Sequence, residues 1–247
     1  MNHRAILLAG SMLASLLSTA CGIGDSAPGR PAAHSQVVRP SSIVDFNVLY
    51  ARNCSACHGP YGKGGAAIGL SDPVFLAIAD DATIRHITAD GVPGTSMPAF
   101  AEHSGGTLTD DQVQAIVGGI RARWARPHAL RDANPPPYAT QDPGDPKRGA
   151  IAFGVYCSSC HGPDGRGGRA GSIVNGSYLA LVSDQGLRTI VIAGRPELGH
   201  PDWRGDVPGR PMSAQDVSDV VAWLAAQRPQ FPGRPYSTAL QSGGGLR

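Results

Sequence analysis

The stretch Cys54–Gly59, CSACHG, returns as CSSCHG at Cys157–Gly162, 103 residues further on. Each copy places two thiols three residues apart, with a histidine directly behind the second. Two thiols at that spacing can add to the two vinyl groups of one porphyrin, and the next residue then lies beneath the ring with its imidazole turned toward the metal. On this reading Cys54 and Cys57 hold one covalent haem c with His58 as axial ligand. Cys157, Cys160 and His161 hold a second. Other uses of CxxC fit less well. A structural zinc site gathers its ligands from nearby segments, whereas these pairs are separated by a proline-rich stretch. A thioredoxin-like motif needs a βαβ setting, and no alternating strand pattern is present. A disulfide within each pair would leave the histidine unexplained.

Haem iron takes a second axial ligand. In the first copy Met97 lies in GTSMPAF, a Gly- and Pro-rich loop, where a thioether is better placed for iron than for core filling. The second copy has His200 in GHPDW, at the same distance from its first cysteine. Histidine there would lower the reduction potential relative to methionine. Met212 is the rival, with an apolar helix-entry role as its plainer reading, and an open site is a third option.

These residues need elements to position them, and the chain carries those in duplicate. Tyr50 and Phe153 each precede the first cysteine by four residues, and Gly59, Pro60, Gly62 and Gly64 match Gly162, Pro163, Gly165 and Gly167. IRHITADG aligns with LRTIVIAG, pairing Arg85 with Arg188. A role for these arginines near a haem propionate and a solvated helix face are both open. His86 and His103 have no histidine counterpart and read as surface residues; His34 and His128 fall in linkers. Each copy closes on an amphipathic helix, with Val113, Ile116, Val117 and Ile120 in one and Val217, Val220, Val221 and Leu224 in the other, at helical spacing. Thr109 and Ser213 are the expected N-caps, with Leu108 and Met212 just before them. An opening helix is expected from about Ser42 and about Asp145. The fold class is all-α.

The chain of 247 residues divides accordingly. Residues 1–20 read as a signal peptide, with an apolar run too short for a confident span. Cys21 follows LSTA, where a lipoprotein carries its acylated cysteine. A flexible tether covers 21–41, the first domain 42–125, a stiff Pro-rich linker 126–146, the second domain 147–228 and a disordered tail 229–247. With Cys21 lipidated, the other four of the five cysteines form the two CxxC pairs. A net charge of +2 argues against nucleic acid as a partner.

With these motifs in place, each block resembles a class I cytochrome c domain. The resemblance implies helices wrapped around a covalent haem, and two such domains in tandem. Taken with the N-terminal signal-peptide pattern and Cys21, it points to an exported dihaem cytochrome that relays electrons between redox proteins of respiratory complexes, held on the periplasmic side of a membrane through Cys21. The alternatives are a dihaem oxidoreductase of peroxidase or sulfur-compound dehydrogenase type using an open position on the second haem, a redox or gas sensor, and an accessory subunit of an oxidase or dehydrogenase. Gly119 departs from the family, which often has an aromatic there, as the second block does at Trp223. Looser packing of the first block's terminal helices is expected from it.

Overall fold

The structure, a computed structural model, describes residues 37–131, 133–205 and 207–229. The expected signal peptide, Cys21, most of the expected tether and residues 230–247 lie outside the described residues.

Acidic and small polar caps start most of the helices. Asp45 accepts from the Val48 N–H (3.0 Å) and begins α1, Phe46–Asn53. That cap, rather than Ser42, sets where the first opening helix starts. Asp145 accepts from Lys147 and Arg148 (2.8 and 3.0 Å) and begins α6, Pro146–Tyr156, with proline at the position where a missing N–H costs nothing. A one-turn helix carries each histidine: α2, Ser55–His58, and α7, Ser158–His161. The middle of each repeat holds two short helices, α3 (Pro73–Ile78) and α4 (Asp81–Asp90) in the first, α8 (Gly176–Leu181) and α9 (Asp184–Ala193) in the second. The closing helices are α5, Asp110–Trp124, and α10, Ala214–Ala225. Thr109 with Gln112 and Ser213 with Asp216 form capping boxes at the expected places. The described residues contain no strand, only the isolated bridges Ala101–Leu108 and Arg195–His200. The fold is all-α.

The opening helix packs on the closing helix in both repeats, α1 on α5 and α6 on α10. The expected apolar faces are inside: Val113, Ile116, Val117 and Ile120 on α5, and Val217, Val220, Val221 and Leu224 on α10. Burying each such side chain contributes about 1.5–3 kcal/mol. The first pair is the less closely packed of the two, as expected, but Gly119 leaves no gap in it. A Cβ there would fall 2.0 Å from the Phe46 ring, so phenylalanine on the opening helix fills the space. In the second pair the sizes are exchanged. Gly149 replaces Phe46, a Cβ there would meet the Asp219 carbonyl at 2.0 Å, and Trp223 on α10 stacks on Phe153 at 4.3 Å.

Asp219 adds a polar clamp to the second pair. It takes Arg148 through Nε and Nη2 (2.8 and 2.9 Å) and the Asp145 N–H (2.7 Å). The Arg148 side chain holds the Asp219 carboxyl below the usual carboxylate range.

The segment expected to be a stiff spacer is fastened down. Arg188, 3% exposed, donates to the carbonyl oxygens of Pro137 (2.9 Å) and Tyr138 (3.1 Å) and to the Ser218 hydroxyl (3.1 Å). Gln185 donates to the Tyr138 carbonyl as well (2.8 Å), and Leu130, Ala133 and Tyr138 pack on the core. Arg188 is therefore not on a solvated helix face: its guanidinium is sealed among neutral acceptors. Arg85, its partner in the alignment, is a surface residue paired with Asp110 at 3.3 Å. Across the repeats α9 packs on α3, and the described residues from 41 onward belong to one compact unit.

Candidate haem sites

The chain break that presents each motif is built identically twice. The Cys54 N–H closes α1 on the Tyr50 carbonyl (2.9 Å), and the Cys54 carbonyl then accepts from Cys57 and His58 (3.2 and 3.0 Å), starting a new turn. Cys157 does the same, with Phe153 behind it and Cys160 and His161 ahead (2.9, 3.2 and 3.0 Å). A glycine loop then folds back beneath the turn. The Cys57 carbonyl accepts from the Ala67 N–H and the Cys160 carbonyl from Ala170, both at 2.9 Å. The approach is so close that a Cβ on Gly65 would sit 2.1 Å from the Cys57 oxygen, and on Gly168 2.4 Å from that of Cys160. Glycine is required there because only it lets backbone approach backbone so closely.

This loop also orients the histidines. The His58 Nδ1 lies 2.8 Å from the Ile68 carbonyl and the His161 Nδ1 3.1 Å from the equivalent Gly171 carbonyl. A carbonyl only accepts, so each Nδ1 carries the proton. The Nε2 lone pair is then free for a metal, with its ring direction fixed by the second partner. Both imidazoles are buried. Burial pushes the His58 pKa down; the hydrogen bond to Ile68 opposes this and the positive charge of Arg195 adds to it.

Among the described residues none of the four cysteines is in a disulfide. Burial, followed by its neighbour Cys57, pushes Cys54 up to about 11, and burial with Cys160 pushes Cys157 up to about 12. Reactive redox cysteines and zinc thiolates need the opposite shift. Among the described residues no three His, Cys, Asp or Glu side chains converge as a metal cage. Paired thiols beside a fixed imidazole suit thioether formation with a porphyrin.

The two loops expected to bear the second ligand also match. The Val92 N–H donates to the Met97 carbonyl at 3.0 Å, and Arg195 to His200 at 2.9 Å. Gly91 and Gly194 close them with φ of +69° and +74°. Met97 is half-buried, its N–H held by the Thr95 hydroxyl (3.1 Å). His200 faces His161, ring centres 6.1 Å apart and planes 52° apart. Its Nδ1 is buried without a hydrogen-bond partner. Such an orphan costs about 1–3 kcal/mol unless something other than the described side chains satisfies it. One metal atom bound to both rings through bonds of about 2 Å would space their centres roughly 6 Å apart. The donor set thus fits iron between His161 and His200. Burial lowers the His200 pKa, with His161 and then Arg195 adding to it.

Met212 sits at the entry to the closing helix. Its N–H bonds the Trp203 carbonyl at 2.8 Å, as Leu108 bonds Phe100 at 2.8 Å, and its side chain joins the apolar core at the helix entry. His86 and His103 are exposed but share a partner, Asp90 (2.8 and 3.3 Å). Two residues escaped sequence reasoning. Arg195 stands where the first repeat has Val92, a visible change of charge in an otherwise matched loop. Trp124, edge-on to Phe46 (5.6 Å) and Tyr50 (5.1 Å), supplies the first repeat's indole from a position beyond the aligned one.

Comparison with known families agrees with this geometry. The family model described as cytochrome C oxidase, cbb3-type, subunit III matches residues 43–118 and again 144–224. The chain belongs to this family, a cytochrome c family whose members bind haem c covalently and whose chemistry is electron transfer. Among its relatives is the cytochrome bc1 complex cytochrome c subunit of Corynebacterium diphtheriae, 25% identical over 89% of this chain and 79% of that protein. The protein of the same description from Mycobacterium bovis is 25% identical over 71% of this chain, which spans 60% of the relative's length. The cbb3-type cytochrome c oxidase subunit FixP of Sinorhizobium medicae is 28% identical over 49% of this chain and 39% of its own. No described helix is long and apolar enough to cross a membrane.

Proposed function

We propose that this protein is a dihaem electron relay of a respiratory chain, a cytochrome c subunit or close partner of a bc1-type or cbb3-type complex. Cys54 and Cys57 hold one haem c by thioether bonds and Cys157 and Cys160 hold the other. His58 and His161 would ligate the irons from the motif side, as proximal ligands, and Met97 and His200 from the loop side, as distal ones. The observation that carries this reading is the duplicated turn, in which each CxxCH motif has its histidine tethered through Nδ1 to an equivalent carbonyl. The bound haem iron supplies a reversible one-electron store.

The residues around it do the rest. The Ile68 and Gly171 carbonyls keep the ligating nitrogens unprotonated and aimed. Met97 offers a soft thioether, which favours the ferrous state and raises the potential; the His200 imidazole favours the ferric state and lowers it. With haem bound, this difference between Met97 and His200 would make the second site the electron donor to the first. The pairing of His200 with His161 also weighs against the oxidoreductase alternative, which needs an exchangeable position on that iron. Export and membrane attachment through Cys21 complete the proposal. They rest on residues 1–21, and tethering of this kind raises the effective concentration of partners without new contacts.

The test is a haem count and a ligand assignment on protein made with a haem-attachment system. Two covalent haems should appear by mass. A near-infrared methionine-to-iron band should arise from one haem only, and Met97→His should abolish it. A single haem refutes the relay; two methionine bands transfer the second role to Met212.

A further inference from the structure

Val92 and Arg195 hold the same place in the two repeats, and their backbones do the same work on the ligand loops. The Arg195 backbone exchanges both hydrogen bonds with His200 (2.9 and 3.1 Å). Only the side chain differs. That of Arg195 is 11% exposed and leaves its own repeat: Nη2 donates to the Gly65 carbonyl at 2.8 Å, while Nε pairs with Glu197 at 2.7 Å. Gly65 is the residue pressed against the Cys57 carbonyl. Arg195 is thus fastened at one end to the His200 turn and at the other to the loop behind Cys57 and His58.

We propose that Arg195, with Glu197 as its counter-charge, is a positioning residue that couples the two haem sites, locking the second distal loop to the first proximal loop and setting the electron affinity of both irons together. A guanidinium in a water-poor place acts over a longer range than one in solvent. Reduction adds negative charge, so a nearby cation favours the reduced state and a nearby carboxylate opposes it. The contacts of Arg195 with Gly65, in the loop behind Cys57 and His58, and with the His200 backbone place that charge beside both sites. Arginine where the first repeat has valine would be costly for packing alone, because its charge must be desolvated and paired. A bridge between sites explains the choice.

This inference rests on the dihaem reading with His200 as ligand, so haem count and ligation are first measured on the unsubstituted holoprotein. One haem, or two methionine-ligated haems, overturns that reading and the coupling with it. With the expected ligation present, spectroelectrochemical titration of the variants decides the coupling alone. Arg195→Gln should lower the reduction equilibrium constant of both haems at least about threefold, roughly 30 mV for one electron. Glu197→Gln should shift both the opposite way, and Arg195→Lys, which keeps the charge, should stay near the unsubstituted values. A shift at one haem only, at neither, or equally in the Lys and Gln variants overturns it. If Arg195→Gln does not accumulate, Glu197→Gln decides by the same criterion. A merely structural contact would move thermal stability in these variants but would not lower both potentials in one variant and raise both in the other.

Discussion

The first repeat packs a phenylalanine from its opening helix against a glycine on its closing helix; the second packs a glycine against a tryptophan. Phe46 with Gly119 and Gly149 with Trp223 are the same contact with large and small exchanged. The arginine that locks each closing helix has moved as well. Arg121 bonds Asp81 and the carbonyls of Leu76 and Ala79. Arg228 bonds Asp184 and the equivalent carbonyls of Leu179 (3.0 Å) and Val182 (2.8 Å) from a place further along the chain. Repeat 1 thus runs arginine then tryptophan, Arg121 and Trp124, where repeat 2 runs tryptophan then arginine, Trp223 and Arg228. The indoles nevertheless reach one target: a Cβ on Gly62 would meet Trp124 at 2.9 Å, and on Gly165 would meet Trp223 at 3.2 Å. What duplication preserved is the set of contacts around the motif, not the positions that supply them. Volume and hydrogen-bond satisfaction are the constrained quantities.

The comparison can be broken most severely at the motifs. Replacing Cys157 and Cys160 by alanine should remove one haem and halve the haem absorbance per protein, with the first site's methionine band intact. Loss of both haems would show that the repeats do not load independently. Next in size is the exchanged contact. Gly119→Ala forces a Cβ into Phe46 and should cost about 1–3 kcal/mol in denaturant unfolding. Pairing Gly119→Trp with Phe46→Gly should recover part of the loss of Gly119→Trp alone, if the two arrangements are equivalent. The clamp on α10 comes third. Asp219→Asn should lower Tm at neutral pH. The folded-state pKa of Asp219 lies below its unfolded value, so its contribution is present above the unfolded pKa and fades as pH falls through the folded one. The variant and parent melting curves should therefore converge on acidification. Smallest is Gly118→Ala. Its Cβ meets nothing within 4 Å, so helix propensity alone should stabilise by about 0.5–1 kcal/mol, opposite in sign to its neighbour Gly119.

Much of the site could be read from residue types because its chemistry forces the spacing. Thioether attachment ties Cys54, Cys57 and His58 together in sequence, and a cap followed by apolar residues at helical period marks α5 and α10. What escaped was carried by groups that residue type does not encode. Arg188 is satisfied by the main-chain carbonyls of Pro137 and Tyr138, so nothing in the linker's side chains announced that it would be held. Gly119 looked like a defect when read alone. Its complement lay seventy-odd residues earlier at Phe46, visible only when that residue is set beside Gly149. The exchanged roles of Arg121 and Arg228 were hidden because a fixed alignment pairs Arg121 with Ala225.

The fastening of Pro137 and Tyr138 by Arg188 has a consequence for the history and engineering of this chain. A repeat that has learned to satisfy a buried guanidinium with its neighbour's leash is no longer a module that can be lifted out. Transplanted without that leash, it would carry a sealed cation with too few acceptors, and tandem arrangement has become a condition of its folding.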